Sequence, residues 1–143
     1  ISSALTGFTV VLRSDGSVWG WGMFYEHETV DGASPFLDSA DNPITGFSRI
    51  AANGDFIVAL KPNGTVWTWG GNYCGLLVNP TDTPFLMRDE NGSPLSNVVS
   101  IASGNRYSLG LNQDGSVWAW GCNRDGQLGD GTTIDRDYAV QVK

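Results

Sequence analysis

Apolar and polar residues alternate in short runs along the whole chain, and turn-forming residues close each run. Phe8-Thr9-Val10-Val11-Leu12, Val18-Trp19-Gly20-Trp21-Gly22, Phe56-Ile57-Val58-Ala59-Leu60, Val66-Trp67-Thr68-Trp69-Gly70, Tyr107-Ser108-Leu109-Gly110-Leu111 and Val117-Trp118-Ala119-Trp120-Gly121 are the clearest. Runs of this length and period read as β-strands, and no stretch carries the 3.6-residue apolar period over enough residues for a helix. The chain is therefore expected to be all β.

The strands recur. Asp15-Gly16-Ser17-Val18-Trp19-Gly20-Trp21-Gly22 returns at 63–70 and again at 114–121, so all six tryptophans lie in three copies of one octet. Trp19, Trp67 and Trp118 are 48 and 51 residues apart, the spacing of propeller blades or solenoid units. The likeness continues outside the octet. Ile50-Ala51-Ala52 through Leu60 matches Ile101-Ala102-Ser103 through Leu111, and Pro35-Phe36-Leu37, Pro84-Phe85-Leu86 and Ala139-Val140-Gln141-Val142 each close a copy. Three units follow, at about 1–46, 47–97 and 98–143.

Each octet opens on Asp-Gly or Asn-Gly, a strong hairpin signal because glycine accepts the positive φ such turns need. Pro62 before Asn63-Gly64 has the φ of a first turn residue and no N–H to give a narrow strand pair, which predicts a type I turn with Gly64 in a G1 bulge. Alternation then puts Trp67 and Trp69 on one face of their strand and Val66 and Thr68 on the other. A large face and a small face suit sheets stacked on one another, and the tryptophans are expected to be core between them.

Composition narrows the function classes. Nineteen glycines in 143 residues, 11% aromatics and 16% charged residues fit a folded, turn-rich β domain. Fifteen acidic against eight basic groups give a net charge of −7, which argues against a nucleic-acid partner. No run is long enough for a membrane span, so no membrane insertion is expected. Cys74, Cys122 and the single His27 match no zinc spacing, and no metal or cofactor is expected. Two free thiols are the simpler reading, with a bridge between neighbouring copies as the alternative. One histidine in an irregular loop gives no nucleophile–base set, and the carboxylates sit mostly in turn motifs, so no catalytic residue is assigned. Asn123-Arg124-Asp125-Gly126 begins like a calcium loop before Gln127, Leu128 and Gly129 break the pattern; Asp125 and Asp130 are read as fixing local turns.

Ile-Ala-x-Gly, a Leu-x-Leu strand, Asp-Gly-Ser-Val-Trp-x-Trp-Gly and Asn-x-x-Gly-Gln-Leu-Gly-Asp-Gly-Thr-Thr, carried most fully by residues 98–143, resemble the regulator of chromosome condensation repeat. The resemblance implies a β-propeller of four-stranded antiparallel blades that serves as a rigid platform for protein partners. Copy one departs from it at Met23 to Glu28, copy two keeps only Asn72 and Gly75 of the loop motif, and Phe8, Phe56 and Tyr107 stand where the family often has histidine. The linkers look like those of bacterial, secreted or cell-surface members. Three blades leave a propeller unclosed, so the chain reads as part of a larger propeller, or as a subunit that closes a ring with other copies as a homo-oligomer.

What remains is binding. The loop after each Trp-Gly leaves the scaffold where side chains are free of packing demands. The partner-binding candidates are Phe24, Tyr25 and His27 in copy one, Tyr73 in copy two, and Arg124 and Asp125 in copy three, with tyrosine and arginine favoured at protein interfaces. The expected function is a non-enzymatic protein–protein interaction scaffold. The alternative is a lectin-like, carbohydrate-binding surface module that uses the aromatics.

Overall fold

The computed structural model describes residues 2–3, 7–23, 30–53, 56–71, 74 and 83–143. Among these residues the chain forms strands and turns only. Sheet I contains β1 (Ser2–Ser3), β2 (Phe8–Leu12), β3 (Val18–Gly22) and β4 (Val30–Pro35). Sheet II contains β5 (Arg49–Asn53), β6 (Phe56–Leu60), β7 (Val66–Gly70) and β8 (Phe85–Leu86). Sheet III contains β9 (Val98–Gly104), β10 (Tyr107–Asn112), β11 (Val117–Gly121) and β12 (Arg136–Gln141). Each is an antiparallel meander with its strands side by side in chain order. The closing strand of copy one lies earlier than its sequence suggests, ending at Pro35. Phe36 still donates its N–H to the Val18 carbonyl, so pairing runs past the strand's formal end.

The octets build the hairpins in one way. Gly64 N–H donates to the Lys61 carbonyl and Lys61 N–H to the Thr65 carbonyl, with Gly64 at φ +80°, the type I turn and G1 bulge expected there. The same pair of bonds closes the turns at Gly16 and Gly115. Ahead of each glycine a carboxylate or amide oxygen of Asp15, Asn63 or Asp114 accepts from the backbone N–H and hydroxyl two residues on, and that hydroxyl accepts the indole N–H of Trp19, Trp67 or Trp118. One short polar side chain thus fixes both the turn and the first tryptophan of each pair. The Ser17 and Ser116 hydroxyls and N–H groups hold the carboxyls of Asp15 and Asp114 below the ordinary value.

The turn also joins one sheet to the next. Phe47 N–H donates to the Gly16 carbonyl at 3.4 Å, and Val98, which opens sheet III, donates to the Gly64 carbonyl at 3.1 Å. A Cβ on Gly64 would stand 3.0 Å from the Asn97 backbone, so both the conformation and this close approach require glycine.

Two cores lie between the sheets. Phe8, Val10 and Val18 of sheet I meet Ile57, Ala59 and Trp69 of sheet II, closed by Ile44 and Phe47 from the connecting segment. Val58, Leu60 and Val66 of sheet II meet Trp120, Val98 and Ala139 of sheet III, closed by Met87 and Leu95. Trp69 and Trp120 are fully buried, and Phe36 meets Trp69 edge-on with centroids 5.9 Å apart. These two rings fill the space between sheets, as the large and small faces predict.

The expectation of six core tryptophans holds only in part. Trp19, Trp67 and Trp118 are half-buried, and Trp21 is 38% exposed. Trp21 occupies the position of Trp69 and Trp120, but no described sheet lies in front of its face. At the other end of the stack Leu111 is 40% exposed, whereas Leu60 at the same place in sheet II is 3% exposed.

Candidate functional site

The hairpin turns mark one edge of the sheets, and the segments following each Trp-Gly leave from the opposite edge. Four of the sequence-selected residues, Phe24, Tyr25, His27 and Tyr73, lie outside the described residues. Arg124 and Asp125 are described, and both are exposed on the segment joining β11 to β12.

That segment is built around Asn123, which sequence reasoning did not single out. Asn123 is fully buried. Its Nδ2 donates to Asp130 Oδ1 at 3.1 Å and to the Thr132 carbonyl at 3.0 Å, its Oδ1 accepts the Leu128 N–H at 2.9 Å, and its own N–H donates to Asp135 Oδ1 at 2.7 Å. Asp130 is buried beside it and accepts from the Thr132 N–H and hydroxyl. Arg136, on β12, reaches back with Nε at 3.0 Å and Nη2 at 2.8 Å from Asp130 Oδ2, and gives Nη1 to the Tyr138 hydroxyl. Burial alone would raise the Asp130 carboxyl, but the donors of Thr132, Arg136 and Asn123 outweigh it and hold it down to about 2. Asp130 therefore fixes a turn, as its sequence context suggests, and does much more, tying the loop to the sheet's outer strand. The signal was the Asn-x-x-Gly-Gln-Leu-Gly-Asp-Gly-Thr-Thr run itself: Asp130 meets Thr132 two residues on, but Asn123 reaches Asp130 and Thr132 only across the loop.

This frame leaves its outer corner to solvent. Leu128 is buried as an apolar plug, and Gly126 N–H donates to the Asn123 carbonyl, turning the chain so that Arg124 and Asp125 point outward. The Arg124 side chain is 80% exposed, and its Nε stands 3.8 Å from Asp135 Oδ2. An ion pair that long and that exposed constrains the guanidinium little.

Cys74 and Cys122 are joined in a disulfide, with Cα atoms 5.2 Å apart. This corrects the simpler expectation of two free thiols. The reason is spatial: stacking brings Cys74 against Cys122 at the end of β11, so cysteines 48 residues apart in sequence become neighbours. Cys122 is fixed from its other side by donating its N–H to the Arg106 carbonyl.

A cleft of about 580 Å³ near the outer strand of sheet III is lined by Glu90, Trp118, Asp130, Thr132, Arg136 and Lys143, and its Asp130 and Arg136 are already paired with each other. Among the described residues no group of three or more His, Cys, Asp or Glu side chains gathers to hold a metal ion, and no helix is long and apolar enough to cross a membrane. Four of the six tryptophans offer little to a sugar. The Arg13 guanidinium lies 4.7 Å over Trp19 and the Lys61 ammonium 4.6 Å over Trp67, and Trp69 and Trp120 are inside the core.

Comparison with known proteins agrees with this architecture. The sequence profile of the "Regulator of chromosome condensation (RCC1) repeat" matches residues 47–76 and 98–127, and a second profile of the same description matches 114–142. The chain is 34% identical over 133 residues to the E3 ubiquitin-protein ligase HERC2 of Homo sapiens, covering 87% of this chain and 3% of that protein. It is 41% identical over 54 residues to the guanine nucleotide exchange factor SRM1 of Saccharomyces cerevisiae, covering 38% of this chain and 10% of that one. The chain thus spans a small part of these relatives. Among solved structures, human WBSCR16 superposes with a TM-score of 0.73 at 20% identity, and yeast RCC1 (Prp20) bound to Kap60 with 0.67 at 22%. Each covers 96% of this chain, which in turn covers 37% and 34% of them.

Proposed function

The chain belongs to the regulator of chromosome condensation repeat family, and from that premise we propose that it is a non-enzymatic scaffold that binds a protein partner through the segments following each Trp-Gly. The observation that carries this reading is the loop of sheet III. A buried network of Asn123, Asp130, Thr132 and Arg136 fixes the backbone, while Arg124 and Asp125 stay exposed at its corner. A fixed backbone that presents a forked donor beside a carboxylate leaves only those side chains to be ordered on docking. Similar proteins point the same way: yeast RCC1 (Prp20) has been solved bound to Kap60, and Prp20p of Saccharomyces cerevisiae binds Gsp1p and histones. The net charge of −7 supports a protein partner over a nucleic acid.

The test is affinity capture with the full chain as bait, comparing wild type with Arg124→Ala/Asp125→Ala and with a variant that also truncates Phe24, Tyr25, His27 and Tyr73. A partner retained by wild type and reduced at least about tenfold by the double variant supports the reading. Identical partners on all three baits would remove these six residues from the interface.

A second reading rests on Trp21 and Leu111: copies of the chain associate end to end, the bared Trp face of sheet I meeting the bared aliphatic face of sheet III. Light scattering on a dilution series tests it, since a mass that stays at one chain at every concentration excludes it.

A further inference from the structure

The two cores differ in polarity at one matching place. Across sheet III, Ser103 of β9 stands opposite Ser108 of β10, and Ser108 opposite Trp120 of β11. Trp120 packs in the core between sheets II and III, so all three side chains enter that joint. The same places in sheet II hold Ala52, Ile57 and Trp69, which enter the core between sheets I and II. Two aliphatic side chains beside one indole are thus two hydroxyls beside the other.

Those hydroxyls are unbonded. Ser103 Oγ, Ser108 Oγ and Trp120 Nε1 are buried with no hydrogen-bond partner among the described residues. Asn53 Oδ1 is buried and unbonded in the same way. Asn53 ends β5 opposite Phe56, and Phe56 packs in the core between sheets II and III, so the Asn53 side chain lies on the face of sheet II that adjoins sheet III. One donor, one acceptor and two hydroxyls able to do either therefore lie on the facing sides of a single joint. Leaving such groups buried and unbonded is costly, and a buried water relieves that cost where it finds about two to four polar partners. Trp69 Nε1 is also buried and unbonded, but the side chains across the sheet from it, Ile57 and then Ala52, offer a water no hydrogen bond.

We propose that the joint between sheets II and III contains a site for ordered water, which accepts from Trp120 Nε1 and donates to Ser103 Oγ, Ser108 Oγ or Asn53 Oδ1, and that the joint between sheets I and II has no such site at the matching place. None of the four groups is charged, so the site takes a small neutral molecule that both donates and accepts, and not an ion. Trp120 lies two residues before Cys122, which sets the site beneath the root of the segment that Asn123 organises. Water there supplies hydrogen bonds between two sheets whose other contacts at this core are apolar.

A crystal structure of the full chain at a resolution that shows ordered water tests this directly, and magnetic relaxation dispersion of the water oxygen counts long-lived waters in solution. Neither measurement involves a partner, so the outcome is independent of the interaction reading. The comparison variant is Ser103→Ala/Ser108→Val, which gives this joint the apolar character of the other. Density is expected within about 3.2 Å of Trp120 Nε1 and of at least one of the two serine hydroxyls, with none in reach of Trp69 Nε1. The count of long-lived waters should fall by at least about one in the variant. The proposal is overturned by serine hydroxyls bonded to each other or to a backbone carbonyl with no density at Trp120, by equal density at both indoles, or by an unchanged count in the variant. Should the variant fail to fold, the wild-type density at the two indoles decides alone.

Discussion

Sheets I, II and III carry the same tryptophan octet, yet Trp69 and Trp120 are fully buried and Trp21 is 38% exposed. Backbone pairing across the hairpin is the same in all three: Trp21 faces Thr9 as Trp69 faces Ile57 and Trp120 faces Ser108. What differs is the sheet in front. In a stack of repeats a residue's contribution belongs to the joint between units more than to the unit, so identical sequence does different work in the middle and at the end.

Substitution should expose that difference. Trp69→Ala and Trp120→Ala each remove a ring packed on all sides and are expected to cost about 3 to 5 kcal/mol, whereas Trp21→Ala should cost well under that range. Urea unfolding midpoints measure it, and equal losses at the three positions would break the comparison. The opposite faces give a second, smaller pair. Leu60→Ala is expected to cost about 2 to 5 kcal/mol in the core between sheets II and III, and Leu111→Ala only a fraction of that.

Acid sharpens the comparison within sheet III. Asp130 ionises at about 2 in the fold against an ordinary 3.8, so its contribution is complete above the unfolded value and disappears as the pH falls through the folded one. Lowering the pH from 5 to 2 should therefore loosen the 122–136 loop, seen as a lower protection factor at the Leu128 amide relative to its intrinsic rate, before the apolar core between sheets I and II is affected. Asp130→Asn should show that loss of protection already at pH 7. The depressed carboxyls of Asp15 and Asp114 act in the same direction at the turns. The smallest effect is expected for Arg124→Ala, within about 0.5 kcal/mol of wild-type stability, because its side chain is 80% exposed. A larger loss would mean that Arg124 belongs to the frame and not to its exposed corner.

Much of the architecture was legible in the sequence because its signals are local. The octets fix the hairpin turns through residues two and three apart, and alternation assigns Trp69 to one face and Val66 to the other without knowledge of the neighbouring sheet. Features that depend on stacking were less legible. The Cys74–Cys122 pairing was visible only as the alternative to two free thiols, and the six tryptophans read alike, because the bridge and the exposure of Trp21 follow from which sheets adjoin. The candidate site was legible by halves: a free loop corner at Arg124 and Asp125 follows from the motif, but Asn123 as the hub of the loop requires seeing Asp130, Thr132 and Arg136 converge from positions up to thirteen residues apart.

The bonds from Val98 N–H to the Gly64 carbonyl and from Phe47 N–H to the Gly16 carbonyl give the molecule a direction in time. A hairpin completed early in synthesis already presents the carbonyl, and the apolar wall beneath it, that receive the first residues of the sheet still to be made. Each finished sheet is thus a template for its successor, and the chain can be laid down from its N-terminal end without waiting for distant segments.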